Sequence, residues 1–185
     1  DEYRANGLPG SDGLPDVLNE SRWGLEWLLK MNPGPEVMYN QIADDRDHVG
    51  FRFPNVDSAD YGMGKERPVY FCTGKPQGAL KYRNRATGIA STAGKFASAF
   101  AKGAEVYKSV DHEFSKLLTT KAIAAFSYGL KNPGVCQTAP GTAPYFYEED
   151  NWVDDMELAA IELYNQTKDS KYLDYAVKFG RKEIT

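Results

Sequence analysis

Apolar residues recur at helical spacing in five stretches of this chain, separated by polar segments rich in Gly and Pro. Val17, Leu18, Trp23, Leu25, Trp27, Leu28 and Leu29 give a broad apolar face and predict a helix over 15–31. Pro15 suits its first turn, and Asn32-Pro33-Gly34-Pro35 ends it. A second helix is predicted over 86–108, dense in Ala, Gly and Ser and punctuated by Phe96, Phe100 and Tyr107. Small side chains let a helix approach several neighbours closely, so this one is expected in the interior. A third begins after Asp111, whose carboxylate can accept from the free amides of the first turn, with Glu113 beside it. It carries Phe114, Leu117, Leu118, Ala122, Ala125 and Phe126 and stops at Asn132-Pro133-Gly134. A fourth, over 153–167, places Met156, Ala159, Ala160, Leu163 and Tyr164 on one face. The fifth, with Ser170 as its expected cap, runs through Leu173, Ala176 and Val177. No segment alternates with the period of a strand, so the expected class is all-α, with no strands.

The connections alternate between long and short, which predicts antiparallel hairpins. Residues 33–84 have no persistent period, and Pro, Gly and Asp recur through them; residues 133–151 are rich in Pro, Gly and Thr. Long connections of this kind on a compact scaffold usually carry function. The last helix pair superficially looks like a tetratricopeptide-type repeat, but no matching period occurs elsewhere, so a solenoid is not expected.

The length, 185 residues, suits one domain or a piece of a larger one. A formal charge of −4 without any Lys/Arg run argues against nucleic acid and anionic membrane as partners and leaves neutral ligands open. No apolar run is long enough for a bilayer span, and the first residues do not read as a signal peptide. Cys72 and Cys136 allow at most one disulfide and no Cys-only zinc site; they are expected as free, buried or half-buried thiols.

Three stretches carry a family resemblance. The first is Gly13-Leu14-Pro15-Asp16-Val17-Leu18-Asn19-Glu20, followed by Arg22-Trp23-Gly24-Leu25-Glu26-Trp27-Leu28-Leu29-Lys30-Met31. The second is Tyr39-Asn40-Gln41-Ile42-Ala43-Asp44-Asp45-Arg46-Asp47-His48. The third is Tyr145-Phe146-Tyr147 with Asn151-Trp152-Val153-Asp154-Asp155-Met156-Glu157-Leu158-Ala159-Ala160, Leu163-Tyr164 and 167–173. In order and spacing they resemble glycoside hydrolase family 9, the cellulase family with an (α/α)6 barrel. The resemblance implies that residues 1–185 are part of a single such catalytic domain, without its N-terminal and C-terminal helices. It implies inverting hydrolysis of β-1,4-glucan, partners that are β-glucan and the remainder of the barrel, no required cofactor, and a secreted or periplasmic location. The family's catalytic base lies in an Asp-Ala-Gly-Asp element and its acid is a Glu near the domain's end. Neither element occurs here, so this chain is expected to supply cleft walls and subsites and to be inactive alone. A non-catalytic carbohydrate-binding toroid and a six-hairpin glycosidase on another glycan are the competing readings.

The resemblance also marks candidate residues. His48 corresponds to a substrate-subsite histidine; as a residue it serves equally to fix its loop by hydrogen bonding. Phe51 stands where the family carries a stacking Trp, so a ring is kept and the indole lost. Tyr145 and Phe146 match a cleft-lining pair, since flat rings suit the C–H faces of β-linked glucose, or they wedge the helix into the core. Glu149 occupies a place where the family often has Trp. Asp44 and Asp47 are assigned to loop support rather than to an acid–base pair. Asp150, Asp154 and Asp155 either compensate a helix N-terminus or form a structural Ca²⁺ site. Trp23 and Trp27 are expected in the core, and His112 at the surface. The sequons at Asn19 and Asn165 fall in or at the end of helices and are expected to be chance.

Overall fold

The computed structural model describes residues 13–183 apart from Val49, Met63, Tyr145 and Phe146. Five helices form, within one residue of the ends predicted for them except at the second: α1 Asp16–Met31, α2 Ala90–Tyr107, α3 His112–Lys131, α4 Val153–Thr167 and α5 Ser170–Glu183. Asp111 caps α3 by accepting from the Phe114 amide at 3.0 Å. At α5 the cap is Asp169, which accepts from the Lys171 amide at 3.1 Å, in place of the expected Ser170.

Side-chain neighbours fix the helix directions. Ser21 meets Tyr107, and Gly103 faces Leu25, so α1 and α2 run antiparallel. The Ser115 hydroxyl donates to Ala104 O while Gly129 lies against Ala93, so α2 and α3 are antiparallel as well. Gly180 lies against Glu157 and Phe179 against Trp152, which makes α4 and α5 an antiparallel hairpin. Between hairpins the order is different. Lys95 reaches Asp155 near one end and Lys102 reaches Glu162 near the other, so α2 and α4 lie side by side and parallel. Thus α2 and α4 form one layer, and α1, α3 and α5 pack outside it in the opposite direction.

The small residues of α2 make this possible. Ala90, Ala93, Ala97, Ala101 and Ala104 are buried with Phe96, Phe100 and Tyr107. A Cβ on Gly94 would sit 2.6 Å from the Asp155 carbonyl carbon, closer than any real contact. The α2–α4 spacing is therefore set by the bare glycine backbone.

Because α1 and α3 both end where α2 and α4 begin, both long connections lie at one end of the layers. The short turns 108–111 and 168–169 lie at the other. That end departs from expectation in two ways. First, Tyr39–Ile42 (β1) and Val69–Phe71 (β2) pair as a two-stranded antiparallel sheet with a bulge between Tyr39 and Gln41. Strands of four and three residues are too short to show alternation in sequence, and the pairing partner is about thirty positions away. Second, α2 starts at Ala90 and not at 86. The Thr87 and Gly88 amides donate to Val135 O, and Ile89 and Ala90 to Asn132 O, so this segment is spent on bridging the two loops. Gly88 is required there, since a Cβ would fall 2.2 Å from Pro133 O.

Trp23 and Trp27 are not core residues. Helix α1 packs through Leu18, Ser21, Arg22 and Leu25, whereas Trp23 is 71% exposed and Trp27 40%. At about 100° per residue, the tryptophans fall nearly opposite that contact face. No helix among the described residues is long and apolar enough to cross a membrane.

Candidate functional site

Four amide side chains join the two long loops. Gln41 Nε2 donates to Ala43 O at 2.8 Å and to Ala139 O at 3.2 Å, and its Oε1 accepts from the Ala139 amide at 2.6 Å. Asn40 Nδ2 donates to Cys136 O and Gln137 O, and Asn84 Nδ2 to Gln137 O and Thr138 O. Gln137 Oε1 accepts from the Arg85 amide at 2.7 Å, and its Nε2 donates to Glu149 O at 2.9 Å. An amide side chain presents a donor and an acceptor at backbone spacing, so these residues act as surrogate strand pairings. Asp45 adds a second tie: its carboxylate accepts from Thr142 N and Oγ1 and from the Ala143 amide. Burial works to raise the Asp45 carboxyl, but the Ala143 and Thr142 donors outweigh it and hold it below its ordinary value.

Between the joined loops and the ends of α1 and α2 lies a cleft of about 670 Å³ lined by Trp27, Tyr39, Asn40, Lys95, Phe96, Cys136 and Tyr147, among others. A further hollow of about 450 Å³ shares Trp27, Asn40, Thr138 and Tyr147 with it and continues to Asp44, Asp47 and His48. The two are one groove, with aromatic rings at its middle and the histidine loop at one end. Such a mix of aromatic walls and a few fixed polar groups is the usual make-up of a small-molecule or oligosaccharide site.

The histidine loop is rigidly supported. Asp44, whose side chain has no accessible surface, accepts from Arg46 Nε at 2.8 Å, Arg46 Nη2 at 2.6 Å and Tyr70 OH at 2.6 Å. The Arg46 hydrogen bonds prevail over burial and pull the Asp44 carboxyl down to about 2. Burial, then Asp44, pushes the Tyr70 phenol up to about 12. Asp47 and Asp57 form a cluster with Arg52 and Arg67: Arg52 Nη2 lies 2.5 Å from Asp47 Oδ1, Arg52 Nε 2.6 Å from Asp57 Oδ1, and Arg67 also pairs with Asp57. A carboxylate held near 2 stays ionised throughout the working pH range, so Asp44 does not act as a proton donor there.

At the other end, Lys95 Nζ bridges Glu149 and Asp155, with 2.9 Å to Asp155 Oδ2. Burial pushes the Asp155 carboxyl above its ordinary value, against the pull of Lys95. Burial alone would lower Lys95, but its bonds to Glu149 and Asp155 carry it upward.

Of the residues marked in sequence, His48, Asp44 and Asp47 meet in the groove. Phe51 does not join them: it is 94% exposed, packs edge-on against Phe53 at 5.7 Å, and lines a separate hollow of about 340 Å³ beside Asp47 and Arg52. Tyr145 and Phe146 lie outside the described residues. Of Asp150, Asp154 and Asp155, Asp155 pairs with Lys95 and Asp150 lies 3.5 Å from Arg85. Among the described residues no three His, Cys, Asp or Glu side chains gather where they could share a metal ion. His112 is exposed, and Cys72 and Cys136 are free and buried, as expected.

Sequence reasoning missed Trp27, Tyr39, Tyr147 and Lys95 as groove residues. Trp27 lies one turn from the end of α1, directly before the long loop. Tyr147 adopts a left-handed backbone, φ 47°, which turns the chain just before α4.

Comparison with known proteins agrees with this architecture. The sequence model of Glycosyl hydrolase family 9 matches residues 2–184. Endoglucanase 15 of Arabidopsis thaliana is 28% identical over 161 residues, which cover 86% of this chain and 29% of that protein. The crystal structure of a metagenome-derived family 9 endoglucanase superposes with a TM-score of 0.67 at 27% identity, covering 95% of this chain and 28% of that one. The cellulase Cel9M of C. cellulolyticum in complex with cellobiose shares the fold, with a TM-score of 0.67 at 19% identity over 96% of this chain and 37% of that one. This chain therefore spans under two fifths of the length of these proteins. The parallel α2–α4 layer with its antiparallel outer helices is one part of their (α/α)6 barrel. With the match running through nearly every residue, the chain belongs to Glycosyl hydrolase family 9.

Proposed function

We propose that the protein hydrolyses β-1,4-glucan with inversion, this chain supplying one wall of the cleft and part of its subsites. The observation that carries the reading is the continuous groove from Lys95 and Phe96, past Trp27, Tyr39 and Tyr147, to His48. Aromatic faces stack on the apolar faces of β-linked glucosyl rings, while the exposed His48 is available to equatorial hydroxyls. Inversion needs one carboxylic acid and one carboxylate flanking the scissile bond. With Asp44 held ionised by Arg46 and Asp47 engaged by Arg52, the pair is assigned to other parts of the barrel. His48 and Phe51 are proposed as substrate contacts, the latter at the rim beyond the groove. Tyr145 and Phe146 keep the same proposed role on the strength of the resemblance. A secreted or periplasmic location belongs to the same reading and predicts the protein in culture medium or a periplasmic fraction.

The test is hydrolysis of cellotetraose by the whole protein, with the anomer of the first-formed product followed by NMR. The proposal expects α-anomer product and a raised KM in His48→Ala. Binding without hydrolysis would favour a carbohydrate-binding toroid, and turnover of xylan or mixed-linkage glucan alone would move the substrate to another glycan.

A further inference from the structure

We infer that Cys72 and Cys136 form a dithiol modification site at the floor of the cleft, which a small-molecule disulfide oxidises to an intramolecular Cys72–Cys136 bond. The two residues lie 64 positions apart, one directly after β2 and one in the second long loop, yet both are buried in the same core cluster. Each thiol is the other's strongest electrostatic neighbour, and Thr92 acts on both. Asn40 Nδ2 lies 3.5 Å from the Cys136 sulfur. The backbones beside them are fixed: the Cys72 amide donates to Met38 O at 2.8 Å, and the Cys136 amide to Ser91 Oγ at 2.9 Å.

The pair is asymmetric. Cys136 lines the cleft and Cys72 does not, so an incoming reagent meets Cys136 first. The surroundings favour the same order. Cys72, assisted by Thr92, holds the Cys136 thiol below its ordinary value, whereas its partner and burial push Cys72 up. Neither thiol takes part in the hydrolysis proposed above.

The chemistry is thiol–disulfide exchange. The Cys136 thiolate attacks one sulfur of the reagent RSSR, forming Cys136–S–SR and expelling RS⁻, which is protonated to RSH. Cys72 then loses its proton, and its sulfur attacks that of Cys136, expelling the second thiolate, which takes up the proton. Two protein thiols are oxidised, and one RSSR is reduced to two RSH. The new bond would tie β2 to the loop that leads to Tyr147 and Glu149, so it fixes the two walls of the cleft to each other.

The experiment incubates the native protein with oxidised glutathione, digests it under acidic conditions that stop exchange, and maps the peptides by mass spectrometry. The expected result is a Cys72–Cys136 cross-linked peptide pair, the loss of both titratable thiols, and recovery of both after dithiothreitol. In Cys72→Ser, glutathione is expected to remain on Cys136, because the resolving thiol is gone; in Cys136→Ser, Cys72 is expected to stay unmodified. Both thiols still free after prolonged oxidation, or glutathione lodged on the native protein without a cross-link, would overturn the inference. The native-protein map decides the matter even if a variant fails to fold.

Discussion

Replacing Asp44 by Asn tests the support beneath the histidine loop. The carboxylate has no accessible surface, and its two oxygens accept from Arg46 N, Nε and Nη2 and from Tyr70 OH. Asn is nearly isosteric but turns one acceptor into a donor, which must then face another donor in a buried place. The charge component follows from the pKa. A carboxyl moved from 3.8 to about 2 contributes about 2.5 kcal/mol to folding at neutral pH. Because the folded-state value is the lower one, this contribution is complete above the unfolded value and is lost as pH falls towards 2. About half of it should be gone at pH 3. Chemical unfolding of wild type and Asp44→Asn at a series of pH values should therefore show a gap of about 2–3 kcal/mol at pH 6 that narrows by more than 1 kcal/mol at pH 3. A gap equal at both pH values would refute the argument, because it would mean that ionisation of Asp44 does not support the loop.

Two other substitutions probe the layer beneath the cleft. Gly94→Ala gains up to about 1 kcal/mol of helix propensity but forces a methyl into the Asp155 backbone, so a net loss of about 1–3 kcal/mol is expected in thermal unfolding. Lys95→Met leaves Asp155 facing Glu149 without its cation. Since burial already raises Asp155, the folded state should disfavour its ionisation further, and the stability deficit of the variant should grow as pH rises from 4 to 7. A deficit that is flat over that range would count against the assignment.

The helices were legible in the sequence because their signals are local. Asp111 as a cap, the Asn-Pro-Gly stops and the small residues of α2 each act within a turn or two of themselves. What stayed hidden depends on partners far along the chain. Gln41 reads as an ordinary polar residue until Ala139 arrives opposite it, and Thr87 and Gly88 read as a helix start until Val135 takes their amides. β1 and β2 are too short to announce themselves and exist by pairing with each other. The tryptophans of α1 show another limit. An amphipathic face reports that apolar residues cluster, but not whether a neighbour or a ligand groove meets them, and Trp27 meets the groove. In the site, the His48 loop was marked through a motif, whereas Lys95 and Tyr147 belong to it only because α2 and α4 run parallel and bring their first turns to one end.

The central claim is that the groove between Trp27, Tyr147 and His48 holds a β-1,4-glucan chain. Crystals of the whole protein grown with a non-hydrolysable cello-oligosaccharide test it most directly. The account predicts glucosyl rings stacked on Trp27 or Tyr147, with a hydroxyl within hydrogen-bonding distance of His48. An oligosaccharide bound elsewhere on the barrel, with this groove filled only by water at saturating ligand, would contradict it.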